Sequence, residues 1–149
     1  MDWVIFSVVS WAVALCLVPI KNWKWLWPAG MVGLALLYAI DSTFIGLGAF
    51  YYRTNQISFG ALSGLPTLYW ISGFPAAILL AYYYPQKRQW QLPYILLAST
   101  LFLGLELFMA WLGYFQYNQW SPTQSYFLDV GGFIVVIWLS QWFGAVGKE

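Results

Sequence analysis

Three carboxylic acids, Asp41, Glu106 and Asp129, stand inside long apolar runs of the sequence. A charge at the centre of a membrane helix costs at least about 2.5–3.5 kcal/mol on insertion scales, so each of these residues requires a reason to be there. Carboxyls grouped within a bilayer can move a proton, hold a cation or cross-link helices through hydrogen bonds, and the residue types alone are compatible with all three. No Lys or Arg falls inside an apolar run to neutralise them. They must therefore be protonated, bind a cation or reach outer water, where Arg53 is the one basic residue. Tyr38, one turn before Asp41, is a candidate hydrogen-bond donor to it.

Other chemistries fail for want of residues. With no His and one Cys, there are no ligands for zinc or His-bound haem and no partners for a Ser–His–Asp or Cys–His nucleophile. No Walker or Rossmann glycine pattern is present, and every lysine lies in a connection or terminus, away from any Schiff-base position in a helix. Neither a metal nor a cofactor is expected. An enzyme is disfavoured, although a carboxylate pair alone suffices for general acid–base work on a lipid.

The elements that must position the acids follow from composition. Of 149 residues, 62% are hydrophobic and 7% charged, with a net charge of +1. Soluble domains carry about 25% charged residues, so soluble, disordered and nucleic-acid-binding classes are excluded together. The reading is an all-α polytopic membrane protein, one bundle over residues 1–149. About 20 apolar residues span a bilayer core, and five segments meet that length: 3–20, 28–50, 66–84, 93–115 and 126–144. Pro28, Pro66 and Pro93 each open one of them, the place where a missing N–H is tolerated. The runs are long and continuously apolar, unlike the alternating strands of a β-barrel.

Lys21, Lys24, Lys87, Arg88 and Lys148 fall on one side of this arrangement and Arg53 on the other. The positive-inside bias then puts the N-terminus outside and the C-terminus in the cytoplasm. The first segment lacks a basic leader and a small-residue cleavage site, so it reads as a retained helix with Cys16 an inert apolar side chain. Within the third segment, Gly73 and Pro75 mark a candidate helix break of the kind that lines binding sites in transporters or simply improves packing.

Depth can be counted from the cytoplasmic boundaries. Asp41 lies 13 residues past Pro28, Glu106 lies 13 past Pro93, and Asp129 lies 15 before Gly144. At about 1.5 Å per residue these are roughly 20, 20 and 22 Å, one level in the outer half of the membrane. Ser99, Ala110 and Gly113 share helical spacing with Glu106, and Gly132 stands one turn from Asp129; such small residues mark faces that other helices approach. If the acids share a site, at least two carboxyls should come within hydrogen-bonding distance or share one water or ion. Asp41 and Glu106 are the expected closer pair, with Asp129 nearest outer water.

The succession Trp25-Leu26-Trp27-Pro28, Asp41, Phe74-Pro75, Tyr84-Pro85, Glu106 and Gly113-Tyr114-Phe115-x-Tyr117-x-x-Trp120-Ser121 resembles a family of small uncharacterised multipass membrane proteins of endospore-forming Firmicutes. The resemblance runs from about residue 24 to the end. It implies a multipass protein of the bacterial cytoplasmic (plasma) membrane and carries over no activity, substrate or catalytic residue.

Two functions are weighed on these residues. One is a non-enzymatic helical bundle that serves a partner, either another membrane protein or further copies of itself. The alternative is a small carrier or binding protein for a proton, cation or lipid-like ligand, working through the intramembrane carboxylates. The lipid bilayer is the partner common to both.

Overall fold

The computed structural model describes residues 3–53, 61–62 and 64–147, the side chains of 61 and 62 excepted; Lys148, counted above on the basic side, lies outside them. The elements run α1 Trp3–Leu17, α2 Ile20–Gly46, β1 Phe50–Tyr52, β2 Ala61–Leu62, β3 Leu65–Pro66, α3 Thr67–Ile71, α4 Gly73–Tyr82, α5 Arg88–Trp111, β4 Phe115–Tyr117 and α6 Pro122–Trp142. Helix dominates, and α2, α5 and α6 are each long and apolar enough to cross a membrane. Helix α1 and the α3–α4 pair are apolar but shorter. This is a membrane protein.

Several helix limits differ from the expected ones. Pro28 and Pro93 lie inside α2 and α5 and do not start them. Apolar length marks the membrane span, whereas the helix itself continues through Lys, Gln and Arg residues that favour it equally well. Helix α6 starts at Pro122, ahead of the expected 126, because Ser121 and Gln124 form a reciprocal capping box in front of it. The break in the third apolar segment is at Ser72, with Gly73 opening α4 and Pro75 in its first turn.

Helices α2 and α5 also end early, and for the same reason. Gly48 and Gly113 take positive φ angles of 74° and 82°, a conformation that L side chains adopt at a cost. The amide after each glycine reaches back to close the helix: Ala49 N–H donates to Phe44 O and Tyr114 N–H to Met109 O. The chain then leaves in extended form. Strands β1 and β4 pair antiparallel, with Phe50 opposite Tyr117, Tyr51 opposite Gln116 and Tyr52 opposite Phe115. This ladder is a departure from the purely helical expectation.

The matching ends reflect an internal repeat that composition and periodicity did not bring out. Leu47-Gly48-x-Phe50-x-Tyr52 recurs as Leu112-Gly113-x-Phe115-x-Tyr117. The preceding positions correspond at the same offset of 65 residues: Trp25 with Trp90, Pro28 with Pro93, Asp41 with Glu106. The backbone bonds follow the same symmetry, since Arg53 N–H donates to Tyr114 O and Asn118 N–H to Ala49 O, both at 2.9 Å.

Packing runs in an open ring. Helix α5 lies on α6, α6 on α2, α2 on α4, and α4 on α1, but α1 and α5 have no extensive contact. The tightest crossing is α2 on α4. A methyl group added at Gly33 would collide with Ala77 Cβ and come within 2.7 Å of Gly73 O. The two backbones therefore touch where neither carries a side chain.

Candidate functional site

The β1–β4 ladder joins the ends of α2 and α5 and holds two tyrosines above the acids. Tyr52 Oη donates to Asp41 Oδ2 at 2.9 Å, and Tyr117 Oη donates to Glu106 Oε1. Each tyrosine follows its acid by 11 residues, so the repeat supplies an acid–tyrosine pair twice. Alternation along each strand turns Phe50 with Tyr52, and Phe115 with Tyr117, to one face. Burial, and then the neighbouring carboxyl, push the phenols of Tyr52 and Tyr117 above the usual range, which keeps both as donors.

Neighbours complete each pair. The Tyr69 hydroxyl, on α3, adjoins both Asp41 and Tyr52. Ser125, on α6, adjoins Glu106 and Tyr117 and receives the Trp120 indole N–H at 3.0 Å. Asp41 is 7% exposed. Tyr52 and Tyr69 place hydroxyls at Asp41, and the ring of Tyr38, the candidate donor from sequence, packs edge-on against Trp70.

Beneath this layer lies a cavity of about 720 Å³ lined by all three acids, within the range typical of small-molecule sites. Its remaining wall is overwhelmingly apolar, and along α5 it extends from Tyr94 to Met109, roughly 22 Å at 1.5 Å per residue. Ile5, Val9 and Val13 on α1, and Leu101, Leu105 and Phe108 on α5, line it and are also open to the outside. The gap in the helix ring is thus a lateral seam. Trp3 and Phe6 close the seam at the acidic end, packing with Phe102, Met109 and Phe115. Gly73, at the break between α3 and α4, lines the cavity; Pro75 is buried in α4.

Asp41, Glu106 and Asp129 are therefore gathered around one space, but not as expected in detail. Among the described residues no hydrogen bond joins two of the carboxyls; Asp41 and Glu106 each accept one from a strand tyrosine. Asp129 was expected to be the acid nearest outer water. The residue is partly exposed, as Glu106 is, whereas Asp41 is buried; its Oδ2 is nonetheless buried and accepts no hydrogen bond from any described residue. Tyr52, Tyr69, Tyr117 and Ser125 escaped the sequence reading. The signal for the two strand tyrosines is the repeated Leu-Gly-x-Phe-x-Tyr, whose glycine falls seven residues after each acid (41 to 48, 106 to 113).

Comparison with protein-family models, with curated proteins and with solved structures gives no match.

Proposed function

We propose that the chain is a binding protein or small carrier for a lipid-like amphiphile, whose tail occupies the cavity and whose head meets Asp41, Glu106 and Asp129. The observation that carries this reading is the 720 Å³ cavity, apolar along its length and acidic at one end. A bilayer-derived ligand fits it because the α1–α5 seam opens sideways, toward where acyl chains lie. The reading as a bundle serving a partner or its own assembly has less behind it. Outward residues such as Leu101, Trp111 and Trp138 are exposed, but a bilayer solvates such side chains without any partner. No covalent step is assigned to the carboxylates.

Filling the space tests the reading. Gly132 lines the cavity, and a Cβ there meets only Ile40 Cδ1 at 3.8 Å. Gly132→Phe should keep the bundle intact while lowering co-purified amphiphile about tenfold, the loss of one well-made apolar contact surface, measured by native mass spectrometry after gentle solubilisation. Unchanged occupancy would remove the cavity as the binding site.

Within this reading all five apolar segments cross the bacterial cytoplasmic membrane, with the N-terminus outside and the acidic layer near the outer face. The support is the Lys and Arg distribution and the common placement of the three acids at the ladder end of α2, α5 and α6. In a Cys16→Ser background, a cysteine at Gln119 should react with a membrane-impermeant maleimide on intact cells. One at Gln89 should react only after permeabilisation. Labelling of both from outside would invalidate the five-span arrangement.

A further inference from the structure

We infer that the amphiphile held in the cavity carries a protonated primary amine, and that Asp129 is the carboxylate that receives it. The inference rests on the reading of the cavity as a lipid-binding site and adds the chemical class of the head group. The two acids of the repeat already have protein donors: Tyr52 and Tyr69 for Asp41, Tyr117 and Ser125 for Glu106. Asp129 belongs to α6, outside the repeat. It lines the same cavity, and its Oδ2 is wholly buried without a hydrogen-bond donor among the described residues. A buried carboxyl oxygen left in that condition is costly, and a bound group that supplies the missing donor gains by matching it.

Charge selects among head groups. Among the described residues no Lys or Arg pairs with any of the three acids, and Lys21, Lys24, Arg53, Lys87 and Arg88 all lie in connections or near helix ends. Among the described residues no side chain supplies the positive charge that would complement the acidic layer. A primary ammonium brings that charge together with three N–H donors and no acceptor. One donor satisfies Asp129, and the others face the layer formed by Asp41 and Glu106. A hydroxyl head offers one donor and no charge. A carboxylate or phosphate head adds like charge where the dielectric is low. The apolar wall below the acids and the seam beside them suit a single long chain entering from the bilayer.

The test uses the full chain in phosphatidylcholine nanodiscs, titrated with radiolabelled dodecylamine, dodecanol and dodecanoate, with protein-free nanodiscs subtracted. Dodecylamine should bind saturably and about tenfold more tightly than dodecanol, as expected for a charge-assisted hydrogen bond over a neutral one; dodecanoate should bind most weakly. Asp129→Asn should bring dodecylamine to the affinity of dodecanol and leave dodecanol unchanged. Equal binding of amine and alcohol by the natural chain would overturn the amine assignment while leaving the cavity as a lipid site. That comparison stands even if the variant does not fold. Amine preference that survives Asp129→Asn would overturn the role of Asp129. Absence of saturable binding by all three compounds would remove the lipid-binding reading together with the inference.

Discussion

Gly33→Leu is expected to prevent assembly of the bundle, whereas Gly104→Leu is expected to be nearly silent. At Gly33 even a single added carbon collides with Ala77 Cβ and approaches Gly73 O to 2.7 Å. Neither obstacle is the movable end of a long side chain, so relief requires α2 and α4 to separate. Overpacking of well-packed sites costs about 1–3 kcal/mol for extra methylenes, and four added carbons at a backbone crossing belong at or beyond the upper end. At Gly104, in the middle of α5, nothing lies within 4 Å of an added Cβ, and leucine is a better helix former than glycine by about 1 kcal/mol. The check is the monodisperse fraction after solubilisation and the thermal midpoint of each variant. Equal behaviour of the two would mean that α2 and α4 do not cross at Gly33.

The second large effect is expected at Trp3. Its side chain is 1% exposed, the most thoroughly buried of the large aromatics. It meets Phe6, Tyr52, Tyr69 and Tyr114 edge to face, with centroids 5.2–6.2 Å apart, and its indole N–H donates to Arg53 O at 2.8 Å. Trp3→Ala should cost about 3–5 kcal/mol, as for other large aromatic truncations in cores. Trp3→Phe keeps most of the packing and loses the hydrogen bond, so it should cost less, on the order of 1–2 kcal/mol. Because Trp3 closes the seam beside Tyr52 and Tyr69, the alanine variant should also admit water to the acidic layer. Hydrogen exchange at the β1–β4 amides, measured by mass spectrometry, should rise in Trp3→Ala and change little in Trp3→Phe. Matching stability in all three proteins would show that α1 is not anchored there.

The apolar segments were legible because hydropathy responds to the bilayer, and every one of them is helical over most of its length. Their ends were less so. Pro28 and Pro93 read as starts because an apolar scale sees Lys24 and Gln91 as loop, although such side chains sit well in a helix beyond the hydrocarbon. Gly48 and Gly113 were hidden inside runs that remain apolar past them. The common placement of Asp41, Glu106 and Asp129 followed from helix spacing, since three acids at similar depth on packed helices have little room to diverge. Their hydroxyl partners were not legible in the same way. Tyr52 and Tyr117 reach the acids through a long-range strand pairing, which hydropathy and helix spacing do not register and which only the Leu-Gly-x-Phe-x-Tyr repeat marks.

The ladder also has a bearing on how the chain is made. Synthesis delivers α2 and β1 long before β4, since the paired positions 52 and 115, or 50 and 117, are far apart in the sequence. Until β4 has been made, β1 lacks its pairing partner, and the ladder does not hold the Tyr52 hydroxyl over Asp41. The nascent protein therefore passes through a stage in which Asp41 is already on its helix while the strand that seats its donor is still missing its mate. Loop closure over that distance is slow relative to helix formation. Completion of the acidic layer therefore waits for β4 and α6, and a chain truncated before Phe115 would carry both an open strand edge and a carboxyl whose tyrosine is not held by the ladder.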